Sequence, residues 1–411
     1  MHYLKFSSNS ATNVELARFK GYSEGNIRII KKNDPERYES FLDEYLKETS
    51  SFLSKEEYIR LNELDESEID EKINNKEIPF VKHSTSYVNR KNYETTYIPA
   101  TYNTFYQLEE AVNTVAPSAK VIGLGNHKGG ANKTTHTLNL CTSLAMHGKK
   151  VLLIDFDTQG NSSAGLNVFC EDKDNTIIDL IVNLSEENAE EKVKESIINI
   201  DIEKHFKESN IGKLDLIPNH ASKAELAEDL HTYARNIGSI ESTLKTIVSY
   251  LKDDYDYILI DYPPRIDFIL RTAIMASDFL IIALNPQPFA RLGIPHIVNP
   301  IQRFQTAYKR ERGRKLKILG GLIGFYEKNK TAQNVHCKQM KKDMKQILGD
   351  GHSIFDTYIP NVSVIQMSQS GFGGAVFVEP MHKVVRKYFD ATVEMLEKIY
   401  LAENLEISTR K

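Results

Sequence analysis

The chain has 411 residues, room for two or three domains, and its 41% hydrophobic and 26% charged residues exclude a disordered or fibrous class. No run approaches the roughly 18 apolar residues of a membrane span, and the opening MHYLKFSSNSATNVEL lacks a signal peptide's apolar core, so a cytoplasmic protein with no membrane partner is expected. The net charge of −4 excludes a uniformly basic surface, and Cys141, Cys170 and Cys337, scattered without CxxC spacing, exclude a disulfide framework or a zinc site and read as buried small apolar residues.

Residues 1–80 read as a small helical domain. Within it NVELARFKGYSEGNIRIIKK (13–32) has the spacing of a helix-turn-helix. Leu16 and Ala17 pack in the first helix, Gly21 makes the turn, Ser23 caps the second helix, and Ile27 and Ile30 bury its inner face. Arg28, Lys31 and Lys32 then fall on or near the exposed side of a recognition helix, with Asn26 as a base reader. The acidic NELDESEIDEKINNKE interrupts the helical pattern. Residues 81–118, opening with the polar, tyrosine-rich HSTSYVNRKNYETTYIPATYNTF, read as a linker or extended arm.

From 119 to 402, short apolar runs alternate with helical patterns. VIGLGN, KVLLIDFD, YDYILID, FLIIALNP, LKILGGLIGFY and SIFDTYIP are continuous, β-branched and bounded by turn residues, as strands buried on both faces are. The expectation is an α/β unit with a mostly parallel sheet flanked by helices, preceded by the small helix-turn-helix domain. Residues 379–402 form a closing helix, and 403–411 are a tail.

VIGLGN leads into HKGGANKTT and then the helical HTLNLCTSLAMHG, the strand, loop and helix context of a phosphate-binding loop. Gly129 and Gly130 let backbone N–H groups turn inward, so residues 129–135, including Ala131 and Asn132, cradle phosphates at a helix N-terminus. Lys133 reaches the β- and γ-phosphates, Thr134 holds Mg²⁺ by its hydroxyl, and Thr135 bonds the α-phosphate. One lysine suffices for those phosphates, which leaves Lys128 unexplained.

KGGANKTT resembles the deviant Walker A motif, KGGxxK[ST]T, of the ParA and MinD superfamily of dimeric ATPases, a P-loop NTPase fold with ATP and Mg²⁺ as cofactors. The resemblance implies that Lys128 crosses a homodimer interface to the partner's nucleotide, as an arginine finger would. Asn132 stands where the family usually has Gly or Ser, and Asn tolerates the left-handed backbone such a loop needs. LLIDFDTQGNSS is similar to the family's DxDPQGN segment, which implies that Asp157 orients the attacking water and Asp155 supports the Mg²⁺ shell. YDYILIDYPP resembles the Walker B strand, with Asp261 binding Mg²⁺ through a water. Pro360, with Phe325 or Tyr326, is placed by the resemblance at the adenine.

Between Arg303 and Lys345 stand 13 Lys or Arg and three acidic residues, a local basic excess that suits phosphate backbones. Arg312, Arg314, Lys315 and Lys330 are the expected contacts, Lys330 falling where many members carry a DNA-contacting arginine. IPNVSV replaces the arginine-bearing pattern of shorter members, so Asn361 and Val364 do not supply those contacts. The N-terminal helices resemble the larger ParA subclass, whose helix-turn-helix recognises its own operator. The implied function is DNA partition: an ATP-dependent dimer on nucleoid DNA, with weak basal turnover, released when a ParB-type centromere-binding partner stimulates hydrolysis. A cargo- or membrane-positioning ATPase of the same superfamily, MinD-like, is the alternative. The tail LAENLEISTRK lacks the basic amphipathic helix that membrane binding needs.

Overall fold

The computed structural model describes residues 12–409 apart from 88–90, 127–131, 170–174, 185–186, 224–225, 227–241, 265–267, 288–289, 349–353, 369 and 372. The chain opens with five helices: α1 (Asn13–Lys20), α2 (Glu24–Asn33), α3 (Pro35–Thr49), α4 (Lys55–Asn62) and α5 (Glu66–Asn74). Thr12 and Glu15 close a capping box on α1, Gly21 leaves it at φ 70°, and Ser23 caps α2 by accepting from the Asn26 N–H at 3.2 Å. Leu16, Ala17 and Ile27 are buried between these helices, as the spacing requires, and Ile30 is half-buried.

The stretch expected as a linker or arm is folded. β1 (Phe52–Ser54), β2 (Phe80–Tyr87) and β3 (Lys91–Pro99) build an antiparallel sheet in which β3 lies between the other two. α6 (Tyr102–Val115) follows and packs on the C-terminal helix Lys383–Thr409, burying Phe105 and Val112. The polar, weakly periodic sequence carries no strand signal, and the strands on either side of the hairpin, β1 and β7 (Glu208–Asn210), come from elsewhere in the chain.

The second sheet has seven strands in the order β11-β10-β4-β9-β5-β8-β6. These are β4 (Lys120–Gly125), β5 (Lys150–Asp155), β6 (Ile198–Asn199), β8 (Lys213–Ile217), β9 (Tyr257–Asp261), β10 (Phe279–Leu284) and β11 (Lys317–Ile323). All neighbours are parallel except β6 with β8. The strands β4, β9 and β10 are buried at every position, which is why their runs are apolar throughout. Helices cover both faces. α7 (Lys133–Met146) and the C-terminal helix pack on one, and helices including Phe268–Ala276 and Thr331–Leu348 pack on the other. The run expected as a last strand, SIFDTYIP, makes only isolated bridges among the described residues: Gly321 with Ile354 and Tyr326 with Pro360.

β4 is central, and its two neighbours, β10 and β9, both come much later in the chain. In open parallel sheets the crevice for a ligand lies at the carboxyl ends of strands around such a reversal of order. The acids ending β5 and β9 stand there, with the first turn of α7 beside Asp261.

Candidate functional site

Three strand ends define the site. β4 delivers the loop that enters α7; Lys128, Gly129, Gly130 and Ala131 lie outside the described residues. Asn132 closes that loop at φ 63° and ψ 17°, the left-handed conformation expected of it, and its side-chain amide donates to Asn285 Oδ1 at 2.7 Å. Gly324 fits against it: a Cβ there would stand 2.5 Å from Asn132 Nδ2 and 2.7 Å from His136 Nε2. Lys133 and Thr135 are buried in the first turn of α7, where the helix dipole favours anions.

Asp155 and Asp261 end β5 and β9 in register with each other, and both are fully buried. Thr134 donates its hydroxyl to Asp261 Oδ2 at 2.7 Å, and Ser162 donates to the same oxygen at 2.8 Å. Ser163 donates both its N–H and its hydroxyl to Asp155 Oδ2, each at 2.7 Å. Ser162 and Ser163 were missed in the sequence, although they close the quoted QGNSS run. The turn before them depends on Gly160, at φ 63°, where a Cβ would come 2.8 Å from the Asn219 carbonyl oxygen. Asp157 is buried on the same turn and accepts from the Gln159 N–H at 3.1 Å.

Two oxygens are left over. Oδ1 of Asp155 and Oδ1 of Asp261 are buried with no hydrogen-bond partner among the described residues. Burial, with the charge of Asp261 beside it, pushes the Asp155 carboxyl well above the usual range. Burial likewise pushes Asp261 up to about 6, with Lys133 pulling it back. Two carboxylates on neighbouring strands, each with one unpartnered oxygen, and the Thr134 hydroxyl bonded to one of them form an oxygen-only donor set that suits a hard divalent cation such as Mg²⁺.

Where the resemblance puts the adenine, Pro360 is bridged to Tyr326, two residues beyond the Gly324 contact with Asn132. Phe325 takes φ 53°, and Tyr326 stacks edge-on to Tyr358 at 5.0 Å between centroids. Pro360 is half-buried and therefore partly open to a ligand.

Residues 119–315 match the protein family described as AAA domain. An uncharacterised protein of Methanocaldococcus jannaschii is 33% identical over 224 residues, 54% of this chain and 79% of that protein. The chromosome partitioning protein ParA of Caulobacter vibrioides is 29% identical over 253 residues, 61% of this chain and 85% of that protein. The chain belongs to the ParA/MinD superfamily. Its fold is similar to that of a Cyanothece McdA variant in complex with ATP, with a TM-score of 0.55 at 20% identity, covering 68% of this chain and 96% of that one. The segments that resemble the superfamily's second and third nucleotide motifs end β5 and β9, at the carboxyl end of the sheet.

The expected DNA contacts divide. Lys315 and Lys330 are exposed, and Lys330 pairs locally with Glu327 at 2.8 Å. Arg312 and Arg314 are placed otherwise, with side chains 11% and 25% exposed. Both guanidinium groups pair with Asp278, a buried acid at the amino end of β10, and Arg314 also bonds Glu403 at 3.1 Å. A buried carboxylate needs such partners, and this demand drew both arginines off the surface. In the N-terminal unit Asn26, Arg28, Lys31 and Lys32 are all exposed on α2. Arg28 pairs with Glu24, and the Lys31 ammonium sits 4.7 Å over the Tyr38 ring. A second helix pair, α4 and α5, precedes the β2–β3 hairpin, and α5 falls within the acidic stretch expected to interrupt the helical pattern. With three basic against eight acidic residues from Lys55 to Asn74, the pair is a poor match for a phosphate backbone.

Proposed function

We propose that the chain is a DNA-partition ATPase that dimerises on ATP, binds DNA without sequence preference, and is released when a ParB-type partner stimulates hydrolysis. The observation that carries the reading is the pair of orphan oxygens on Asp155 and Asp261 beside Thr134, at the mouth of a phosphate-binding loop. Those residues would hold Mg²⁺, which neutralises charge on the β- and γ-phosphates when bound. The N-terminus of α7 and Lys133 receive the phosphates, and Pro360 with Tyr326 receives the base. Asp157 orients the attacking water from the turn after β5. Lys128 acts across the dimer, so that nucleotide and partner chain complete one site.

The exposed lysines at 315 and 330 belong to the nonspecific DNA surface, and α2 carries the operator-reading side chains. The name of the Caulobacter relative, chromosome partitioning protein ParA, supports a partition role. Lys133→Ala should abolish nucleotide binding, whereas Lys128→Ala should keep most of it and lose the ATP-dependent dimer. Isothermal titration and light scattering with a slowly hydrolysed ATP analogue separate the two. Normal dimerisation of both variants would reject the trans role of Lys128.

A further inference from the structure

The amino end of the parallel sheet holds a second charged cluster that the nucleotide reading does not use. Asp278 is its centre: Oδ1 takes Arg312 and Arg314, while Oδ2 takes the Val121 N–H at 3.3 Å and has the Lys252 ammonium at 3.5 Å. A carboxylate offers about four acceptor positions, so Asp278 is saturated. Its three cationic neighbours are not, since each guanidinium alone brings five N–H donors. Beside them opens a cavity of about 410 Å³, roofed by the connection Val115–Lys120. Lys120 and Lys245 also line it, and the acids that join Asp278 there are Glu311 and Glu403. Five cations therefore face three carboxylates.

Two of the lysines are lowered chiefly by their burial. Burial pulls the Lys252 ammonium below its usual range, and the charges of Arg312 and Arg314 push the same way against Asp278. Lys120 is lowered by burial as well, although its ammonium bonds the Asn113 side chain.

We propose that this cavity is a binding site for a small multiply charged oxyanion, phosphate or a phosphate ester, held by Lys252, Arg312, Arg314 and Lys245. The depth of the donors selects the class. Arg312 is 11% exposed, and Arg314, Lys252 and Lys245 between 25% and 29%, so a free anion can enter where the backbone of a duplex cannot follow. The volume is that of a small-ligand pocket, too small for a macromolecular segment. The site lies at the opposite end of the strands from the phosphate-binding loop, so it is independent of nucleotide bound there.

The test uses the full chain carrying Lys133→Ala, which silences the loop. Isothermal titration with pyrophosphate should give one site per chain, and pyrophosphate should raise the thermal unfolding midpoint by mass action. Adding Lys252→Met, or separately Lys245→Met, should weaken binding by about tenfold or more, the loss of one charge-assisted hydrogen bond. Two variants at different positions guard against a folding failure in either. Parallel titrations with inorganic phosphate and ribose 5-phosphate distinguish a free oxyanion from an esterified one. Absence of binding in the Lys133→Ala chain, or equal affinity in the variants, overturns the proposal. Competition by random duplex DNA would also overturn it, because the cluster would then belong to a DNA surface.

Discussion

The two ends of the parallel sheet each bury acids, and they do so in opposite ways. At the carboxyl end Asp155 and Asp261 stand side by side, each with one unpartnered oxygen among the described residues, and both are pushed toward the neutral form. At the amino end burial would raise Asp278 too, but Arg314, Lys252 and Arg312 outweigh it and hold the carboxyl below its usual range. Burial of a carboxylate is therefore not what marks a ligand site. The sign of the mismatch does: too few cations where a metal and its nucleotide are expected, too many where an anion fits.

The contrast is sharpest in stability. Asp278→Asn leaves three cations around an amide, and breaking a buried ion pair in this way costs about 3–5 kcal/mol. Urea unfolding at pH 7 should show the loss, and a change under about 1 kcal/mol would mean that the cluster is solvated. Because the folded-state pKa of Asp278 is depressed, its contribution is present above the unfolded value near 4 and disappears as pH falls through the folded one.

Asp261→Asn should do the reverse in the absence of ligand. Its folded pKa of about 6 lies above the unfolded value, so the penalty is absent below about pH 4 and grows as pH rises toward 6, levelling off above it. Removing the charge should stabilise the chain at pH 8 by up to about 3 kcal/mol and make no difference at pH 4. The same variant should lose Mg²⁺-dependent nucleotide binding. A destabilised variant at pH 8 would show that the orphan oxygen has a partner in solution and that the two ends are less different than they look.

The smallest effect on folding is expected at two exposed lysines, Lys315 beside the amino-end cluster and Lys330 beyond the carboxyl end of β11. Lys315→Glu with Lys330→Glu should leave stability within about 0.5 kcal/mol, since both side chains are exposed. Nonspecific DNA affinity should fall, and the log–log salt slope should flatten by roughly 0.9 for each phosphate no longer neutralised. If the pair binds random duplex as well as the parent chain, the basic tract is only a solvated face. Equivalent changes at Arg312 or Arg314 would confuse the measurement by disturbing Asp278.

These differences also explain what could be read from the chain. The strands that carry the motifs are buried on both faces, so their apolar runs and the acids closing them are local signals. Asn132 was legible for a similar reason, because a left-handed position favours Asn wherever it occurs. The partner of Arg312 was not, since Asp278 lies 34 residues upstream and nothing local ties the two together. Ser162 and Ser163 carry ordinary turn chemistry until β5 and β9 align. The hairpin at 80–99 mixes polar, charged and tyrosine residues without a clear period of two, and the β7 strand that completes it is 126 residues away at the Lys82–Glu208 pair.

The C-terminal helix Lys383–Thr409 reaches both the nucleotide-binding helix and the N-terminal unit. Tyr388 meets His136 Nδ1 at 3.1 Å and Thr392 donates to Ser143 at 2.7 Å on one side. On the other, Arg386 donates to the Lys47 and Ser50 carbonyl oxygens at 2.8 Å, Lys383 pairs with Glu15 at 2.9 Å, and Phe389 packs edge-on against Phe52. The Arg386 contacts span more than 330 residues of chain, and that of Lys383 spans 368. During translation at about 5–20 residues per second, the first helices therefore wait tens of seconds for the segment that seats them. Until it emerges, the surface around Phe52 stays open to chaperones. A ribosome stalled before residue 383 would hold a nascent chain whose N-terminal unit is accessible to protease, and release of the finished chain would close it.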